Sequence, residues 1–463
     1  MTGLRCDVAI IGAGTAGLAA ERSARSAGAS TLLIDDRFAG TTCATVGCMP
    51  AKLLIAAAEA ADAVRRAAIF GIRAGEPEIV GTAVLQRVRE ERDRFVSAAK
   101  ASFEDLPAGV MVRASARFTS PTKLALDDGR TVSARAIVVA TGSKPNIPET
   151  FAPVEAMVLT NETLFELTEF PRSVAVIGAG PLGLELGQAL ARLGVETMVF
   201  DQSRILAGIK DRAVATELRR IVERDVPLRL GVALQARASG GGVSLSWTGD
   251  TTGERHFDRV LIAAGRPPQL SALGLEETGL RLDEHGTPVF DRDTLQCGGT
   301  PIFLAGDATG ERAILHEASW EGELAGRNAA RAPKIEPGRR AVPVVLTFTD
   351  PPVALLGDAH DGMDAVVGSA PYEDQGRAKI MARNSGLVRL YAERTTGRLI
   401  GAVMAAPGAD HMGHLIAWAI ESQQTAAQIL DRPFYHPTLE EGLKPALRDI
   451  CRQIGDNAAA EGK

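Results

Sequence analysis

Residues 8–35 read VAIIGAGTAGLAAERSARSAGASTLLID, and residues 174–201 read VAVIGAGPLGLELGQALARLGVETMVFD. The two align without a gap. Each is a short apolar run, then G-x-G-x-x-G, then a helical pattern, then a glycine (Gly28, Gly194), a second apolar run and an acid. That order predicts a βαβ unit with a dinucleotide fingerprint, present twice. Gly12 and Gly178 permit the tight turn off the first strand. Gly14 and Gly180 leave room for a pyrophosphate against the backbone, and Gly17 and Gly183 let the helix pack on the sheet. The helix N-terminus offers N–H groups and a positive dipole end to the phosphates. Asp35 and Asp201 end the second strands, placed to accept hydrogen bonds from ribose hydroxyls. One such motif is weak evidence, because a glycine-rich turn gives the same pattern. Two copies with matching strands and acids leave little room for that explanation.

Each copy has an echo downstream. AIVVATGSKP (136–145) and VLIAAGRPP (260–268) are apolar strands running into a small-residue turn, and a third strand, PIFLAGDATG (301–310), ends at Asp307. The expected organisation is α/β, with two dinucleotide-binding domains, the second inserted in the first. The first would cover residues 1–147 and resume over 269–337, with the second over 148–268. The tract RAPKIEPGRRAVP (331–343) reads as a linker. A last domain, 338–463, then opens with VVLTFTDPPVALLG.

Bulk properties narrow the function classes. A chain of 463 residues is too long for one ordinary core. Its net charge of -6 argues against nucleic acid, which needs a basic face. No uninterrupted apolar stretch of membrane-spanning length is evident, so no membrane span is expected. The N-terminus enters a strand at once without a signal-peptide pattern, and five cysteines do not make a secreted disulfide framework. The expected address is the cytoplasm.

Two of those cysteines stand close together in GTTCATVGCMPAKLL (40–54), where a loop turns into a helical pattern. In a reducing compartment a disulfide tends to be catalytic or redox-sensing. Cys43 and Cys48 could equally be two structural thiols, or a metal pair lacking its other ligands. Lys52 follows Cys48 by one helical turn, on the same face.

Taken together, both fingerprints, the C-x-x-x-x-C segment, the AGDATG strand end and a terminal HPT motif stand in the order of the flavin-dependent pyridine nucleotide–disulfide oxidoreductases. The chain resembles that family over nearly its whole length, and most resembles its dihydrolipoamide dehydrogenase branch. The resemblance implies two Rossmann-like domains, for FAD and NAD, and a C-terminal α+β dimerisation domain. It assigns Gly12, Gly14, Gly17, Asp35, Thr42, Thr141, Gly142 and Asp307 to FAD. Gly178, Gly180, Gly183 and Asp201 fall to the nicotinamide cofactor, and Gly265 is a further cofactor-binding residue. An acid at Asp201 favours NAD over NADP, although Arg204 lies nearby.

The same resemblance makes Cys43 and Cys48 a redox-active disulfide. Cys43 would exchange with substrate and Cys48 would face the flavin. Gly47 would relax the first helical turn so that the sulfurs can meet. Lys52 and Glu185 pair near the flavin, where they also contact the cofactor. In FYHPTLEEGL (434–443), His436 is the acid–base and Glu441 orients it. That histidine is expected to serve the partner's site in a homodimer. The implied substrate is a small dithiol or disulfide, or a lipoyl domain, with dihydrolipoamide favoured. Alternatives are another small disulfide, as in glutathione reductase, a metal ion, as in mercuric reductase, or a non-enzymatic flavoprotein component of a complex. A mercuric reductase reading predicts extra cysteines near the C-terminus, where Cys451 stands alone. No metal site is expected. The chain departs from the family pattern at Thr41, Ala51 and Tyr435. Cys6, Cys297 and Cys451 have no evident role.

Overall fold

The computed structural model describes residues 3–461, with side chains through residue 455. The chain packs as two compact units. One gathers residues up to 50, 87–146 and 265–340, and the other gathers 51–86, 147–264 and the residues from 341 onward.

In the first unit the opening apolar run forms the strand Gly3–Ile11 inside a seven-stranded sheet. It pairs in parallel with Thr31–Asp35 on one side and Thr131–Val139 on the other. Ile302–Leu304 adds in parallel to the end of Thr131–Val139, and Lys123–Leu126 runs antiparallel to its beginning. Val8, Ala9, Ile10, Leu33 and Ile34 are wholly buried. A parallel sheet covered on both faces leaves neither side wet, so its strands read as unbroken apolar runs.

The fingerprint helix Thr15–Ser26 lies against the late helix Leu315–Arg331 at backbone contact. A Cβ at Gly322 would stand 2.2 Å from the Ala16 carbonyl, and one at Gly326 would stand 2.2 Å from that of Ala20. These two glycines, one turn apart, let the helices approach more closely than any side chain allows.

The second unit repeats the motif with Ser173–Ile177, the helix Pro181–Arg192 and Glu196–Asp201. Its parallel sheet runs Leu228–Leu230, Glu196–Asp201, Ser173–Ile177, Arg259–Ile262, Val158–Leu159. A three-stranded meander, residues 232–257, packs Trp247 and Phe257 against Phe200. Beyond residue 343, a five-stranded antiparallel sheet is covered by Ala409–Glu421 and Lys444–Glu461, with Leu390, Met404, Leu447 and Ile450 at its centre.

Residues 51–86 group with the second unit. Lys52 pairs there with Glu185, Arg65 donates to the Arg192 carbonyl, and Gly81 lies under the Phe170 ring. By length and composition alone, Thr42–Phe70 could cross a membrane. Leu54, Ala58 and Ala61 are nonetheless buried in the protein and Lys52 is paired, so one face of the helix packs inside the fold.

Substituting Gly322 by Ala forces the late helix off Ala16. We expect a loss of about 1–3 kcal/mol, read as a lower urea midpoint. An unchanged midpoint would mean that the two helices tolerate separation.

Candidate active site

In the first unit, Gly12 adopts φ +102°, and a Cβ there would stand 2.4 Å from the Ala140 carbonyl. A Cβ at Gly14 would meet nothing within 4 Å, so the space before the helix N-terminus is open. Asp35 does more than the sequence suggested. Its Oδ2 accepts from Ala13 N (3.0 Å), and Oδ1 accepts from Arg37 N and Phe38 N (2.9 and 2.7 Å). The carboxylate thus shapes the loop, and still has lone pairs for a ribose.

Asp307 accepts from Ser143 Oγ at 2.7 Å, and Arg266 Nε donates to that same hydroxyl at 3.2 Å. Neither Ser143 nor Arg266 was singled out in the sequence. Thr141 Oγ1 is buried without a hydrogen-bond partner among the described residues. A buried hydroxyl left unpaired is costly. Beside it, a Cβ at Gly142 or at Gly265, both at positive φ, would meet nothing within 4 Å. An orphaned hydroxyl, an open glycine cradle and the Asp307 carboxylate fit a flavin dinucleotide.

The cysteine segment belongs to the same unit as far as residue 50. Thr41, one of the departures, caps the single helical turn Thr42–Thr45, its Oγ1 accepting from Ala44 N at 3.3 Å. Gly47 folds the loop back on that turn. A Cβ there would stand 2.9 Å from the Thr42 carbonyl and 3.2 Å from Cys43 Cα. Cys43 is half-buried, and Cys48, which opens the helix Cys48–Arg66, is exposed. Ala51 is buried. Burial pushes the Cys297 thiol up to about 12. Burial, with Asp7 adding to it, pushes Cys6 up to about 12. Both are inert thiols at neutral pH.

In the second unit Gly178 takes φ +115°, and a Cβ at Gly180 would meet nothing within 4 Å. Asp201 repeats the role of Asp35, accepting from Ala179 N at 2.6 Å and Ser203 N at 2.7 Å. Arg204 is held in a fork by Asp250, at 2.6 and 2.5 Å. That hydrogen-bonded guanidinium holds Asp250 below the usual carboxylate range.

Lys52 Nζ lies 2.6 Å from Glu185 Oε2, although 133 residues separate them. Glu185 is buried, and its Oε1 accepts from Phe348 N at 2.8 Å. The Phe348 ring faces the ammonium at 4.5 Å. Phe348 was not evident from sequence, where it stands in an ordinary apolar run.

His436 Nδ1 lies 2.9 Å from Glu441 Oε2 and 3.2 Å from Oε1. Partial burial works to raise Glu441, but the Thr438 N–H, the His436 ring and Lys444 together hold it below its ordinary value. The ring itself is 80% exposed. Tyr435 lines an aromatic groove of about 580 Å³ with Trp418 and Phe434. His414 stacks edge-on to Trp418, and neither it nor His411 joins the His436 pair.

The two fingerprint loops, each open before its helix N-terminus, suit a protein that holds two dinucleotides. Residues 6–322 match the pyridine nucleotide-disulphide oxidoreductase family, and residues 343–447 match that family's dimerisation domain. The chain belongs to this family, whose members use FAD and NAD(P)H. Its dimerisation domain supports a homodimer. A mercuric reductase of Streptomyces lividans is 32% identical, covering 98% of both chains. A dihydrolipoyl dehydrogenase of Chlamydia muridarum is 30% identical, covering 94% of both. The structure of LpdA from Mycobacterium tuberculosis superposes with a TM-score of 0.82 at 26% identity, over 96% of this chain and 99% of that one.

After reduction by NADH at pH 8, iodoacetamide should label Cys43 and Cys48 first. Cys6 and Cys297, protonated well above that pH, should stay unlabelled over the same interval, as peptide mass mapping would read. Prompt labelling of Cys297 would contradict the burial argument.

Proposed function

We propose that the chain is an NAD(H)-linked dihydrolipoyl dehydrogenase acting in a reducing, cytoplasmic compartment. The observation that carries the reading is the His436–Glu441 pair at 2.9 Å. Oxidising a dithiol requires two protons to leave, and an oriented imidazole is suited to take them near neutrality.

One substrate thiolate attacks Cys43 of a Cys43–Cys48 disulfide. A mixed disulfide forms at Cys43, and Cys48 leaves as a thiolate. His436, from the other copy in a dimer, takes the proton of the second substrate thiol. That thiolate attacks the substrate sulfur of the mixed disulfide and releases Cys43. The substrate leaves as a disulfide, and two electrons stay on the cysteines. The first fingerprint, Thr141 and Asp307 would hold FAD, whose chemistry when bound would be a two-electron relay between those thiols and the nicotinamide. Glu185, fixed by Phe348 N, orients Lys52 as a localised positive charge. The Asp201 carboxylate accepts from a free ribose hydroxyl and repels a 2′-phosphate. With Arg204 committed to Asp250, NAD is favoured over NADP.

The relative from Streptomyces lividans favours a second reading, reduction of mercuric ion by NAD(P)H. Against it, Cys451 is half-buried and burial raises its thiol. Steady-state assays separate the two. Dihydrolipoamide with NAD⁺ should turn over at least about tenfold faster than Hg(II) with either NADH or NADPH. His436→Gln should lower the dithiol rate about a hundredfold or more. Faster Hg(II) reduction that survives His436→Gln would replace the proposal with the metal-ion reading.

A further inference from the structure

The linker tract carries a half-buried cation. Arg340, the last residue of the first unit, turns its side chain back onto the helix Leu315–Arg331. Its guanidinium lies over the Trp320 ring at 5.1 Å and pairs with Glu321 Oε1. Glu317 Oε2 and Glu311 Oε2 stand 3.6 Å away. Both acids have a cation of their own: Arg312 is 3.0 Å from Glu317, and Arg292 is 2.5 Å from Glu311. Glu321 is fully buried. Among the described residues its partners are Arg340 on Oε1 and, on Oε2, the Gly306 N–H at 2.8 Å.

That N–H opens the turn of AGDATG. Gly306 takes φ +69°, its carbonyl accepts from Thr309 Oγ1 at 2.9 Å, and Asp307 follows it directly. A Cβ at Gly306 would stand 2.8 Å from Ala16 Cβ, so the turn sits against the fingerprint helix. We infer that Glu321, held by Arg340, is a positioning residue that sets the Gly306–Asp307 turn for flavin binding. The inference rests on the reading of Asp307 as a flavin contact. Burial raises the Glu321 carboxyl to about 7, and Arg340 and the Gly306 N–H both act to lower it.

The geometry makes an uncommon demand. Each carboxylate oxygen receives a different donor, so an amide at 321 can satisfy only one of them. Glu321→Gln therefore meets either Arg340 or Gly306 with an N–H facing a donor. Removing Arg340 as well relieves the clash. The amide oxygen can then accept from Gly306 while its NH₂ turns to the oxygen of Glu317 that Arg340 has left.

The test measures the FAD dissociation constant of apoprotein by flavin fluorescence, for the parent, Glu321→Gln, Arg340→Met, the double variant and Asp307→Asn. Each of the first two single variants should weaken binding about tenfold. The double variant should return to within about threefold of the parent, which is non-additivity that only a coupled pair produces. Either single variant binding like the parent, or losses that simply add in the double variant, would overturn the inference. Asp307→Asn binding like the parent would remove the underlying reading and the inference with it. Should Glu321→Gln not fold, Arg340→Met and the double variant decide by the same criterion.

Discussion

Both nucleotide loops depend on one contact, the α-carbon of the third fingerprint glycine against the carbonyl of the first. A Cβ at Gly17 would stand 1.8 Å from Gly12 O, and one at Gly183 would stand 1.9 Å from Gly178 O. No side chain fits there without lifting the helix from its sheet. The helix would then no longer aim its N-terminal N–H groups at a pyrophosphate. Asp35 and Asp201 complete the constraint by accepting from the N–H between the first two glycines. The two halves of the internal repeat therefore share hydrogen bonds as well as letters.

Around these loops the protein arranges polar side chains in short hydrogen-bonded chains. Arg266 and Ser143 orient Asp307. Phe348 holds one oxygen of Glu185 and leaves the other to Lys52. Thr438 supports Glu441 beneath His436. Desolvating a charge is costly unless it is paired, so each chain fixes a geometry. The cysteine segment uses a different device. A Thr41 cap and a side-chain-free Gly47 fold the loop on itself.

The apolar runs and both fingerprints were legible because local spacing dictates them, whereas the histidine–glutamate motif was legible through family resemblance. The Lys52–Glu185 pairing was legible only through family resemblance, since 133 residues lie between the partners. What escaped the sequence is tertiary in origin. Phe348, Ser143 and Arg266 look ordinary until packing brings them to a site. Asp35 and Asp201 were read as ligand contacts, yet both also brace their own loops, a role that needs the loop's curvature to be seen. Thr41 looked like a departure from pattern, and its capping bond supplies its physical reason. Residues 51–86 lie among first-domain segments in sequence but pack with the second unit, through contacts that no local pattern encodes.

The central claim is that Cys43 and Cys48 form a disulfide that exchanges electrons with the flavin. Anaerobic titration of the holoprotein with NADH, followed by visible spectroscopy, tests it most directly. A long-wavelength charge-transfer band should grow in the parent and be absent in Cys48→Ser. Bleaching of the flavin in the parent with no such band would contradict the claim, because the cysteines would then not accept electrons.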